Sequence, residues 1–426
     1  MKKGLILILV LALLPAFALA EGPAEGAMGL VAAGDFDALF AMSDSAMQTQ
    51  IGSAEAFGQI WAQIEASFGA YDGFTDITSA DIQGYAGYHV SCDFANANVT
   101  LTLIFDADGK LAGLTIADYA MKAAGQNDAG GYTEEDATLR AGTADETNGK
   151  LTLPEGDGPF PCVVMMQGSG ASNMDETVYG ISIFAELAHR LARNGVASIR
   201  YDKYTYAHAD LAVANADFTV DDEYAYDAAA AVDLLAADAR IGHIFLLGHS
   251  EGAMVAPRVA DKIGAEKISG MVLLAGSPLP LFEILMRQLK DAGADEQTRA
   301  TYQAQFDGMK DLSEADRKAQ TVLGASLHYW FDEADYDYAA KMITLGLPIF
   351  IAQGAKDFQV LPTEGIEAYK AALAGDDNAT YVLYDDMTHL LCDLSGEMTG
   401  TAADYSSLTG VSDALAGDVA AWVLAQ

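Results

Sequence analysis

The stretch Phe245-Leu246-Leu247-Gly248-His249-Ser250-Glu251-Gly252-Ala253-Met254 constrains this chain more than any other. It joins an apolar run, read as a buried strand, to an Ala/Val-rich helical pattern through Gly-x-Ser-x-Gly. In that setting the motif predicts a nucleophile elbow, a turn from strand to helix with a serine at its apex. Gly248 and Gly252 leave room for the turn, since a Cβ at either would collide with neighbouring backbone. Ser250 then points its hydroxyl away from the sheet. The N–H of Glu251, at the start of the helix, is left to donate to an oxyanion. A bare Gly-x-Ser-x-Gly arises by chance in many proteins, and it is the flanking strand and helix that favour a catalytic serine over a plain turn.

Strand signals recur on both sides of this elbow. Cys162–Met166, Ala197–Tyr201, Ile244–Leu247, Met271–Leu274, Pro348–Ala352 and Tyr381–Tyr384 are short apolar runs. Helical patterns fall at Ile183–Arg193, Glu223–Ala237, Glu251–Ile263, Thr363–Leu373 and Ser412–Leu424. This alternation implies an α/β fold, a mostly parallel doubly wound sheet with helices on both faces. Strands near Ala137–Ala141 and Lys150–Leu153 predict an antiparallel lead-in. Between residues 280 and 345 the alternation stops, and an aromatic cluster Leu327-His328-Tyr329-Trp330-Phe331 appears. Two readings of this insertion stand, a lid over the site or extra packing with no access role.

Upstream the pattern differs. Apolar residues from Phe36 to Phe68 recur at helical spacing, with Ser53 as an N-cap. Ile82–Phe94, Val99–Phe105 and Leu111–Ile116 then alternate as strands of a meander. Residues 21–120 therefore form a small α+β domain, with 21 to about 34 loose, 121–135 a linker and 136–426 the larger domain. The first domain supplies no recognisable chemistry, and His89 reads as structural.

Met1 to Ala20 reads as a secretory signal peptide: Lys2-Lys3, an apolar run from Leu5 to Leu14, then Ala18-Leu19-Ala20. This predicts a secreted or periplasmic protein with no membrane span after cleavage. The formal charge of −38 argues against nucleic acid and anionic membrane surfaces as partners. Three cysteines give an odd count; Cys162 reads as a core residue, and a Cys92–Cys392 bridge has little support from sequence. No Cys or His spacing resembles a zinc site, so no metal is expected.

A serine hydroxyl needs a base oriented by a third group, in the order Ser…Asp/Glu…His. Among seven histidines, His389 alone lies beyond the last core strand, in the loop after Tyr381–Tyr384. It is the candidate general base. His208 and His328 are candidates for lining the pocket, whereas His189 and His243 read as surface or packing residues. The side chain of His249 should point away from the active face. Asp357 follows the strand Pro348–Ala352 and a Gly-containing turn, at the same sheet edge as Ser250, and is the candidate acid. Asp385 and Asp386 are its competitors. Met165-Met166-Gln167-Gly168-Ser169-Gly170 is the candidate oxyanion loop, with Ser169 N–H as second donor beside Glu251 and Gly168 in the same turn.

From residue 135 to 425 the chain resembles an α/β-hydrolase of the esterase/lipase and serine aminopeptidase-like group. The elbow, Pro161–Gly170 with Asp175-Glu176-Thr177, Arg200-Tyr201-Asp202-Lys203 and the stretches around Asp357 and His389 carry the likeness. The first domain resembles an uncharacterised module preceding the hydrolase in certain secreted bacterial esterases. The resemblance implies a Ser250–Asp357–His389 triad, no cofactor and a small-molecule ester substrate. Gln167 stands where relatives usually have His; an amide can brace the loop in its place. Asp202 and Lys203 are expected to fix a loop near the site. Three functions remain open: a carboxylesterase, an amidase or aminopeptidase with the same triad, and a non-catalytic binding protein on this scaffold. Oligomeric state is not legible.

Overall fold

The computed structural model describes residues 22–82, 85–95, 97–121, 130–408 and 410–426, and the chain divides into two compact units around residue 125. In the first unit, β1 (Tyr71–Ile82), β2 (Tyr85–Phe94), β3 (Ala97–Phe105) and β4 (Leu111–Met121) form an antiparallel meander. Three helices, Phe36–Met42, Ser45–Ile51 and Ala54–Phe68, begin on side-chain caps. Asp35 accepts from the Ala38 N–H at 3.0 Å, Asp44 from Met47 at 2.7 Å and Ser53 from Ala56 at 3.1 Å. Each cap satisfies an otherwise orphaned donor and is worth about 1 kcal/mol. Trp61 and Phe68 of the last helix pack on Phe94, over a core that includes Val99, Leu101 and Leu103.

The region expected to be loose is a helix, Pro23–Ala33, closed by Gly34 in the left-handed conformation. Its buried residues Ala24, Ala27, Met28 and Val31 form one narrow stripe, which the surrounding Gly and Ala conceal. The meander also starts earlier than expected. β1 is an edge strand whose Asp, Gly and Thr give little strand signal. Residues 1–20, expected to be a leader, lie outside the described residues, as do 122–129 of the expected linker. The ends of that linker are strand, since Met121 closes β4 and Tyr132 opens β5.

The second unit is built on an eight-stranded sheet. Its strands are β5 (Tyr132–Leu139), β6 (Thr147–Pro154), β7 (Phe160–Met166), β8 (Ala197–Tyr201), β9 (Ile241–His249), β10 (Gly270–Leu274), β11 (Ile349–Gly354) and β12 (Ala379–Tyr384). Their order is β12-β11-β10-β9-β7-β8-β6-β5. β5 and β6 pair antiparallel, β6 pairs antiparallel with β8, and every other pairing is parallel. Side chains alternate between two cores. Cys162, Val164 and Met166 face the helices Tyr226–Ala236 and Glu251–Ile263, whereas Val163 and Met165 face Ile183–Arg193 and Asp413–Ala425. Burial on both faces explains the unbroken apolar strands. β9 lies between β7 and β10, so the elbow emerges at the centre of the carboxyl edge of the sheet. This is the α/β-hydrolase architecture.

Between β10 and β11 the chain makes the helices Leu281–Asp291, Glu296–Gly308, Glu314–Lys318, Leu327–Ala334 and Tyr338–Leu345. Among the described residues, no helix is long and apolar enough to cross a membrane and no cluster is arranged to hold a metal ion. All three cysteines are free and buried.

Candidate active site

Ser250 occupies φ 54°, ψ −118° between β9 and the helix Glu251–Ile263. A non-glycine residue there is strained, and the strain is held by close packing. A Cβ on Gly248 would lie 2.2 Å from the carbonyl of Gly252, and one on Gly252 would lie 2.2 Å from the Met166 oxygen. Both glycines are therefore obligatory for this approach of strand, turn and helix.

His389 projects from the loop after β12, and its Nε2 lies 3.1 Å from Ser250 Oγ. Its Nδ1–H donates to Asp357 Oδ2 at 2.9 Å. Asp357 is buried, accepts from Gln353 Nε2 at 2.8 Å, and takes the N–H groups of Gln359 and Val360 at 2.9 Å each. Four donors converge on this carboxylate, which fixes its orientation. The competitors lie elsewhere. Asp385 and Asp386 are exposed, and Asp386 pairs with Lys356 at 2.6 Å.

The oxyanion loop needs one correction. The N–H of Gly168 is taken by Glu176 Oε1 at 2.6 Å, so Gly168 is not a free donor. Its role is space, because a Cβ there would lie 3.1 Å from Ser250 Cβ. The N–H groups of Ser169 and Glu251 have no acceptor among the described residues, and both residues line the cavity at Ser250. Gln167 donates to the Tyr201 carbonyl, bracing the loop as expected of an amide. Asp202 accepts from Met174 N–H at 2.8 Å and Lys203 N–H donates to Ser172 O, so this pair does fix the loop.

Beneath the loop lies a polar network that spacing gave no means of finding. Lys203, fully buried, donates to Gly168 O at 2.8 Å and to Tyr224 OH at 2.6 Å, and pairs with Glu223 at 2.8 Å. Tyr329 OH lies 2.7 Å from Glu223 and 3.0 Å from Glu251. One hydroxyl proton cannot serve two carboxylates. Burial raises the Glu251 carboxyl above its ordinary range, although Lys203 opposes this. The Tyr329 phenol thus stands between the two carboxyl groups, and Lys203 supplies the ammonium that faces Glu223.

The cavity beside Ser250 has a volume of about 160 Å³. Its walls include Met254 and Leu390, with Leu281, Ile284, Leu285 and Gln288 from the insertion. Neither His208 nor His328 lines it. His208 bonds Thr147 at 3.3 Å, and His328 borders a separate charged cleft with Arg317 and Asp332. His189 bonds Glu134 and His243 bonds Ser269, in keeping with packing and surface roles. His249 is buried but is not turned from the active face as expected: it lines the cavity at Ser250 and reaches the base loop.

Comparison with known proteins bears on the same region. Residues 180–393, half of the chain, match the family described as serine aminopeptidase S33, a group of α/β hydrolases. The chain belongs to this family. Its first unit matches, over residues 24–114, a family of unknown function, DUF3887. The chain is similar to Esterase EstD of Thermotoga maritima, with 29% identity over 405 residues and 92% of each protein covered. Among solved structures it is similar to Est1E of Butyrivibrio proteoclasticus at 14% identity, covering 68% of this chain and 99% of that one (TM-score 0.45). It is also similar to the Pyrococcus furiosus esterase Pf2001 at 16% identity, covering 61% and 83% (TM-score 0.40).

Proposed function

We propose that this family member is a serine carboxylesterase, with Ser250 as nucleophile, His389 as general base and Asp357 as the acid orienting it. The observation that carries this reading is the hydrogen-bonded chain Ser250–His389–Asp357, opening on a cavity beside two unspent N–H donors. Ser250 Oγ attacks the ester carbonyl while His389 Nε2 takes its proton, and Asp357 stabilises the imidazolium. The N–H groups of Ser169 and Glu251 receive the oxyanion, each worth about 3 kcal/mol of barrier. His389 then protonates the leaving alcohol, and water activated by the same imidazole cleaves the acyl-enzyme. Full-length similarity to a named esterase supports ester over amide. The family description as aminopeptidase keeps the amide reading as the alternative. We further read residues 1–20 as a leader for export, which N-terminal sequencing of exported protein tests.

The functional test is hydrolysis of p-nitrophenyl acetate and butyrate beside aminoacyl anilides. Esters are expected to turn over faster, and Ser250→Ala to lose about 10⁴-fold or more in kcat. Ser250→Ala as active as wild type ends the triad reading; faster anilide turnover reverses the substrate order. Absence of fluorophosphonate labelling at Ser250 in folded protein favours a non-catalytic scaffold.

A further inference from the structure

His249, immediately before the nucleophile, faces two acceptors. Its Nδ1 lies 3.0 Å from Glu176 Oε1 and its Nε2 lies 2.8 Å from the backbone oxygen of His389. A backbone carbonyl only accepts, so Nε2 must carry a proton. Glu176 Oε1 also receives the Gly168 N–H at 2.6 Å, which marks it as an acceptor too. Were the carboxyl instead protonated on Oε2, that proton would have no acceptor, because Oε2 is buried without a hydrogen-bond partner. The alternative is a neutral imidazole accepting from Oε1–H; the acidic surroundings that raise the His249 pKa favour the other arrangement, an imidazolium facing a carboxylate. Glu176 itself sits at φ 47°, a left-handed conformation unusual for a non-glycine residue. The backbone is bent to deliver this carboxylate to a point between two loops.

We propose that Glu176 and a protonated His249 are positioning residues that hold the oxyanion loop, the elbow and the base loop in one register, and that losing the His249 proton disables turnover. The proposal rests on Ser250 and His389 being the catalytic pair. One charged pair reaches all three segments: the oxyanion loop through Gly168, the elbow through His249, and the base loop through the carbonyl of His389. When His249 is neutral, either its lone pair meets the carbonyl of His389 or a buried carboxylate loses its counter-charge. Each outcome pushes a loop away. The charged and titratable groups facing the ring are Glu176 from the oxyanion loop, His389 with ring centroids 5.0 Å apart, and Asp357 from the loop after β11. Tyr224 faces Glu176 from the next helix. Burial draws the imidazolium pKa down, but Glu176, the His389 carbonyl and Asp357 together raise it above the ordinary value of 6.5. The active form is thus lost on the alkaline side of the ordinary imidazole value.

The test combines ¹⁵N spectra of histidine-labelled protein with pH profiles of kcat. At pH 7.5, the signals that vanish in His249→Gln are expected to show both ring nitrogens protonated; a neutral-tautomer pattern overturns the proposal. His249→Gln is expected to lower kcat about 10–100-fold with KM little changed, and to abolish the alkaline limb. A limb and kcat like those of wild type overturn it. If that variant fails to fold, Glu176→Gln should move the limb down by at least about one pH unit, and an unmoved limb counts equally against the pair. The spectra report the charge of His249 even if Ser250→Ala proves active, so failure of the triad and failure of the pair are read separately.

Discussion

Lys203 Nζ donates to the Gly168 carbonyl oxygen at 2.8 Å, and this contact sets the tilt of the peptide whose other end is the Ser169 N–H. In a trans peptide, C=O and N–H point in opposite directions. Anchoring the oxygen in the buried network therefore turns the N–H away from it, toward the cavity that Ser169 lines. Lys203→Met should lower kcat about 10–100-fold by loosening one oxyanion donor, with little change in KM. It also strands Glu223 without its counter-ion, a loss of about 3–5 kcal/mol that thermal unfolding will register. Unchanged kcat would separate the network from the oxyanion loop.

Asp357 and Asp386 provide an internal contrast. Asp357→Asn should retain the fold but cut kcat by about 10⁴, since the amide stabilises the wrong imidazole tautomer. Asp386→Asn touches only the exposed pair with Lys356 and should change kcat less than about twofold. Steady-state kinetics on one ester decides between them.

Glu333 is fully buried; its Oε1 takes the Leu281 N–H at 3.4 Å while Oε2 has no partner. Burial raises its pKa from 4.5 to about 8. A carboxyl raised in the folded state leaves stability intact below 4.5 and erodes it as pH climbs toward 8, because the unfolded chain ionises first. Glu333→Gln should therefore be nearly neutral at pH 4.5 and stabilising by a few kcal/mol at pH 8. Chemical denaturation at the two pH values measures the difference.

Leu285 stands in the cavity wall, and the cavity is smaller than the roughly 300–1,000 Å³ of sites for drug-sized ligands. Leu285→Ala should raise the kcat/KM ratio of hexanoate over acetate esters about tenfold, as one or two methylenes gain room. A panel of acyl lengths checks it, with kcat on acetate expected to hold.

The sequence was most informative where a period ran unbroken. The helices Ile183–Arg193 and Glu251–Ile263 have the bounds their apolar spacing predicts, and the parallel strands fall where short apolar runs do. Ser250, Asp357 and His389 come together because each follows a core strand, and strand ends share an edge in such sheets. What stayed hidden had weaker local cause. The helix Pro23–Ala33 has a narrow stripe, two of whose four buried residues are alanines. A π-helical turn at Asp221–Ala225 begins the next helix earlier than the expected Glu223, and it carries Glu223 and Tyr224 into the network. Glu176, His249 and Tyr329 gain their roles from partners 73, 140 and 78 positions away, at separations no periodicity encodes.

Tyr329 comes from the insertion, yet it hydrogen-bonds Glu251 at 3.0 Å, the residue whose N–H is proposed to receive the oxyanion. The segment that helps line the cavity is thus tied to the start of the helix that follows Ser250. Grafting a foreign insertion here to change selectivity would remove a phenol from beneath the elbow as well, so successful chimeras should need to carry a hydroxyl-bearing ring at that place.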